Sequence, residues 1–135
     1  MTELQHAANV ETAQGAIEAF NRGDVEAMRS LGGEDFEYDW SRSIAPNRGI
    51  YRGPEGFIEF ANEQWDMFAE IRIEPHEFIA RGNHVVVPIT VRARGRDDIP
   101  LSANSTQLYS FEDGRLVRIT LFQERTEALA AASEH

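Results

Sequence analysis

The chain changes its hydrophobic period, and that change limits the folds open to it. Val10, Ala13, Ile17 and Phe20 recur at the three-and-four spacing of an amphipathic helix. In Asn21-Arg22-Gly23-Asp24, Gly23 can end that helix and Asp24 can cap the next. Val25, Met28 and Leu31 give the second, short helix its buried side, and Gly32-Gly33 stops it. Phe36, Tyr38 and Trp40 then alternate with Glu37 and Asp39, which predicts a strand. A polar loop with Pro46, Asn47 and Gly49 follows, and Gly53-Pro54-Glu55 opens a third helix. One side of that helix carries Phe57, Phe60, Ala61, Gln64, Trp65 and Phe68.

Beyond Phe68 the pattern is that of antiparallel sheet. Ile71 and Ile73 begin a strand that Phe78-Ile79 continue, with Pro75 marking an edge or a bulge. Gly82-Asn83 reads as a tight hairpin, pairing Arg81 with His84. Strands are expected over 85–93, 101–111 and 116–124, with turns at Gly95-Arg96-Asp97-Asp98 and Asp113-Gly114 and a short final helix over 125–132. Helices first and strands afterwards predict an α+β fold, the helices covering one sheet face. No repeat or linker interrupts the pattern, so one domain over 1–135 is expected, with an ordered core of about 7–130.

Composition narrows the partners. The formal net charge is −10, from 13 Lys and Arg against 23 Asp and Glu, spread along the chain. Such a surface repels phosphate backbones and anionic membrane faces, so neither nucleic acid nor membrane is expected as a partner. The absence of Cys excludes disulfides and thiolate chemistry and suits a cytoplasmic location. The first residues lack the basic start and apolar core of a signal peptide. His76 and His84 flank the hairpin without being cross-strand partners, and no glycine-rich phosphate loop occurs, so neither a metal nor another cofactor is expected. Arg92, Arg94 and Arg96 read as a solvated face or a dimer contact.

The element order and four short segments resemble the SnoaL-like branch of the nuclear-transport-factor-like superfamily, whose fold is shared with ketosteroid isomerase. The segments are Asn21-Arg22-Gly23-Asp24, Tyr51-Arg52-Gly53, Asp113-Gly114-Arg115-Leu116 and the ending Arg125 to Leu129. The resemblance implies a cone, with N-terminal helices packed in the concave face of a curved, mainly antiparallel sheet and a mostly apolar pocket inside. Phe60, Trp65 and Phe68 on the third helix, with Trp40, would then line the pocket. If the last strands turn the same face inward, Ser105, Tyr109, Leu121 and Gln123 would also line it, giving an apolar wall a few hydrogen-bonding groups.

The same resemblance selects two residues for chemistry. Asp39 falls where ketosteroid isomerase carries its general base, flanked by aromatics that would desolvate a carboxylate. Its alternative is a strand-end Asp that is solvated or salt-bridged, with Arg42 or Arg52 as the partner. Gln107 falls where the isomerase carries its protonated oxyanion aspartate, and an amide N–H can donate to an oxyanion without any pKa adjustment. Ala16 replaces the isomerase's oxyanion tyrosine, which argues against steroid isomerisation. Leu121 replaces the aspartate of the SnoaL-type cyclases, and 104–109 lacks the Asp and Arg of limonene epoxide hydrolase. Glu124 reads as structural, capping the last helix or pairing with Arg125. Three functions remain open: acid–base chemistry on a small apolar, oxygen-bearing molecule; binding or carriage of such a molecule without turnover; and a homodimeric interaction domain.

Overall fold

The computed structural model describes residues 3–42 and 49–133, and in them the elements are α1 (Glu3–Arg22), α2 (Val25–Arg29), β1 (Gly32–Asp39), β2 (Ile50–Arg52), α3 (Gly53–Met67), β3 (Phe68–Pro75), β4 (Ile79–Arg81), β5 (His84–Gly95), β6 (Pro100–Glu112), β7 (Arg115–Phe122) and α4 (Arg125–Ser133). The loop expected at Pro46 and Asn47 lies outside the described residues. The fold is α+β, with helices on a curved, mostly antiparallel sheet that forms a cone. Strand order is β2-β1-β7-β6-β5-β3, and β4 pairs with β5 beside β3.

Each turn is built from the residues that its backbone needs. Asp113 (φ 52°) and Gly114 (φ 76°) both occupy the left-handed region, the two-residue hairpin geometry whose twist matches the strands on either side. Gly23 (φ 67°) ends α1, and the Asp24 carboxylate accepts from the Ala27 N–H at 3.1 Å to cap α2. Asn21, the last-turn residue of α1, reaches across to β3. Its carbonyl oxygen accepts from the Ile73 N–H at 2.8 Å and its amide donates to the Ile73 carbonyl at 2.9 Å. Because β3 is the last strand of the sheet, these are backbone groups that no further strand would satisfy.

Inward-facing residues of the sheet meet the helices in one core. Tyr38 lies stacked against Phe57 (ring centroids 5.0 Å) and Phe60 (4.6 Å), and Phe36 meets Phe57 edge-on at 6.0 Å. On the opposite face, α4 packs Ala128 and Ala132 against Val86, Leu108 and Phe122.

Several boundaries differ from the sequence reading, each for a local reason. The strand expected through Pro75 to Ile79 is two strands on one partner. Pro75 pairs with Ile89 and Ile79 with Val86, so the segment from Pro75 to Ile79 carries one more residue than its partner. The His76 N–H bonds to the Pro88 carbonyl at 2.9 Å across this break. Phe68, read as part of the third helix, is the first residue of β3. β2 was not expected, and β1 lies parallel to β7, an arrangement that short-range patterning does not encode. The Gly82-Asn83 hairpin pairs Arg81 with His84 as expected. Arg125 pairs with Glu77 at 2.7 Å and not with Glu124. The Arg stripe is internally satisfied: Arg92 bonds Glu74, Arg94 bonds Glu70, and Arg96 donates to the Asp66 carbonyl at 2.9 Å near the C-terminus of α3. Among the described residues no helix is long and apolar enough to cross a membrane.

Replacing Asn21 by Leu should destabilise the fold by about 1–3 kcal/mol, because both Ile73 backbone groups lose their partner. In urea unfolding the midpoint should fall with little change in slope.

Candidate functional site

Alternation along the strands decides which side chains can share a site. On β6, Tyr109, Gln107, Ser105, Ala103 and Leu101 face inward, and on β7 so do Ile119 and Leu121. Near the base of the cone these side chains are buried under the helices. Toward the tip of the β5–β6 hairpin no helix covers them, and Leu101 is 51% exposed. The uncovered stretch, closed on the other side by Trp40, by Gln64 in the last turn of α3 and by Phe68 at the start of β3, forms a cavity of about 250 Å³. Its wall is mainly apolar, with Ile71, Val91 and Leu121 beside the two aromatics. Gln64, Ser105 and Gln123 supply polar side chains, and no ionisable residue lines the cavity among the described residues.

Beneath it lies a chamber of about 30 Å³, lined by Trp40, Gln64, Ile71 and Val91 in common with the cavity and by Phe60, Tyr38 and Gln107 below. A water molecule takes up about 30 Å³ in the liquid, so this chamber is of single-water size. The Tyr109 hydroxyl donates to the Gln107 carbonyl at 2.6 Å, and a second hydrogen bond joins Gln107 to Tyr38. Burial pushes both phenols well above their ordinary pKa; for Tyr38 the bond to Gln107 acts in the opposite direction without cancelling it. The chain Tyr109–Gln107–Tyr38 is therefore neutral and uncharged beneath the cavity.

Of the residues expected at a pocket, Trp40, Phe68, Ser105, Leu121 and Gln123 line the cavity, and Phe60 lines the inner chamber. Two do not. Trp65 packs against Phe20 (5.7 Å between centroids), and Tyr109, 1% exposed, sits deeper, holding Gln107. Gln107 borders the inner chamber, with its side chain engaged by the two tyrosines.

Asp39 needs a correction of a different kind. Trp40 and Tyr38 both touch Phe60 (4.7 and 4.6 Å), so both face the helices, and Asp39 between them points to the opposite face of the sheet. There it is 8% exposed and accepts from the Ser41 N–H at 3.0 Å and from the Ser41 hydroxyl. The Arg52 that could have paired with it bonds Glu37 instead. A base for a molecule in the cavity would have to stand on the other face.

Gln64 was not singled out by the sequence reading, although a signal was present. It is a polar residue inside the stripe Phe57, Phe60, Ala61, where a helix facing only core would carry an aliphatic side chain.

A family model for the SnoaL-like domain matches residues 13–119. The chain belongs to this family. No curated protein matches it. This SnoaL-like chain is similar to an NTF2-like protein of unknown function from Burkholderia pseudomallei, at 25% identity and TM-score 0.75, covering 91% of this chain and 95% of that one. TerC, co-crystallised with polyporic acid, is 22% identical with a TM-score of 0.75, over 95% of this chain and 99% of that one. An LEH-like epoxide hydrolase of M. tuberculosis is 12% identical with a TM-score of 0.69, over 95% and 91%. The last two share the fold.

The buried tyrosines of this SnoaL-like chain set its alkaline limit. Their folded pKa values are raised, so below the unfolded value of about 10 both states hold the protons and stability is unaffected. Above about pH 10 the unfolded chain releases them first, and stability should fall by about 1.4 kcal/mol per pH unit for each tyrosine. Urea unfolding at pH 8 to 11.5 should show this fall, and a Tyr38→Phe variant should show a shallower one.

Proposed function

We propose that the chain binds a neutral, largely apolar small molecule carrying one or two oxygens in the cavity between α3 and strands β5 to β7, and that it holds this molecule without transforming it. The observation that carries this reading is the chemistry of the wall: aromatic and aliphatic side chains, a few uncharged polar groups, and no ionisable residue among those described. A charged ligand entering such a site would lose its hydration without gaining a counter-charge. The net charge of −10 adds a general repulsion of anions. The cavity's 250 Å³ is close to the lower end of ordinary small-molecule sites, about 300 Å³, which favours a compact ligand of one or two rings. The co-crystal of TerC with polyporic acid is consistent with small-molecule binding on this fold.

A catalytic reading, as the epoxide hydrolase neighbour suggests, needs a proton donor or acceptor at the cavity. Asp39 stands on the far face, and the Tyr38 phenol holds its proton firmly. Binding is the reading that the available groups support.

Neutral ketones and phenols, with carboxylates as controls, should be titrated while thermal melting and tryptophan fluorescence are followed, since Trp40 forms part of the wall. At a ligand concentration of about 100 times Kd, stability should rise by about 2.7 kcal/mol. Ala103→Phe, which puts a ring into the cavity, should weaken binding at least about tenfold, a loss of about 1.4 kcal/mol. Turnover of any probe, or full binding by Ala103→Phe, would sink the proposal.

A further inference from the structure

Helix α3 places a primary amide between the cavity and the inner chamber, and no other group in the described protein uses it. Gln64 is 6% exposed and lines both spaces. Its backbone carbonyl accepts the Phe68 N–H at the end of α3, but among the described residues its side chain has no hydrogen-bond partner. With no protein partner among the described residues the amide opens onto these spaces, whereas an aliphatic residue would complete the stripe of Phe57, Phe60 and Ala61 with no polar group at the wall. On the same wall the indole N–H of Trp40 is buried and has no acceptor among the described residues.

The contrast with Gln107 is informative. One layer deeper, the same type of side chain is held by Tyr109 at 2.6 Å and by Tyr38. The fold therefore satisfies a buried glutamine amide where the amide is part of the core. Gln64 is the case in which it does not, and the open side of Gln64 is the cavity.

Resting on the reading of this cavity as a small-molecule site, we infer that Gln64 is its specificity-determining residue and that it selects ligands presenting a hydrogen-bond acceptor and a donor side by side. The amide offers a carbonyl and an N–H in one plane, so the complementary ligand is a neutral carboxamide, lactam or hydroxy-ketone attached to an apolar ring. A ligand with an acceptor alone would leave the Gln64 carbonyl unpaired, and a hydrocarbon would leave both ends unpaired. Such sites discriminate against analogues that lack the matching group, because the protein's own buried polar atoms then stay unsatisfied.

The test uses three probes of nearly one shape: benzamide, which has acceptor and donor; acetophenone, which has an acceptor; and cumene, which has neither. Each is titrated calorimetrically into the full chain, into Gln64→Leu and into Ala103→Phe, with Gln64→Met as a second apolar variant should Gln64→Leu fold poorly. The benzamide-to-cumene affinity ratio should fall about tenfold from the wild type to Gln64→Leu, with acetophenone intermediate and cumene binding at least as tightly in the variant. Without ligand, Gln64→Leu should melt no lower than the wild type. An unchanged ratio in the apolar variants overturns the role of Gln64 while leaving the cavity reading intact, provided Ala103→Phe still weakens all three probes. If the wild type binds none of the three, the cavity reading and the role of Gln64 fall together.

Discussion

The structure depends on a mismatch of length. Strand β6 has 13 residues and β5 has 12, so each runs about 40 Å, whereas the 15 residues of α3 rise only about 22 Å. A helix of that length cannot cover the concave face of such strands from end to end. Where α3 and α1 lie over the sheet, aromatic contacts between Tyr38, Phe57 and Phe60 close the core. Where α3 ends, the inner face of the β5–β6 hairpin continues with Ala93, Leu101 and Ala103, and the cavity is what remains. The hydrogen bonds from Arg96 to the last carbonyls of α3 tie the hairpin to the helix at this point, so the mouth has two fixed sides.

The chemistry of that space follows from the period of two along each strand. In β1, Phe36 and Tyr38 belong to the core, so Glu37 and Asp39 must belong to the other face, where Glu37 bonds Arg52 and Arg118 and Asp39 bonds Ser41. A resemblance by position between relatives tolerates a slip of one residue; the side chain's destination does not. That is why an aspartate suitable by sequence context does not reach the cavity, and why the acidic surface of the chain coexists with an interior free of charge along the described wall.

Much of the architecture was legible in the residues. Asp113-Gly114 and Gly82-Asn83 specify hairpins because few residues occupy their backbone conformations cheaply, and Asn21-Arg22-Gly23-Asp24 specifies a helix stop and a helix start. Less legible was what those residues do at a distance. Nothing in the segment around Asn21 announces that its side chain closes the free edge of β3, fifty-two positions away, and nothing in Arg96 announces the end of α3. The break between β3 and β4 could be suspected from Pro75, but its place depends on pairing with β5, whose Pro88 faces it.

By itself the sequence determined most of the succession of elements, the α+β class and the apolar faces of helix three and the last strands, because period and turn chemistry are local properties of the chain. Only the tertiary structure decided which polar side chains open onto that lining. It engaged Gln107 with two tyrosines, turned Asp39 to the far face and left the Gln64 amide, at the junction of two chambers, without a partner among the described residues. The physical reason is that hydrogen-bond satisfaction is settled by neighbours brought together from distant strands and helices, and two glutamines alike in sequence acquire different roles from the groups that surround them.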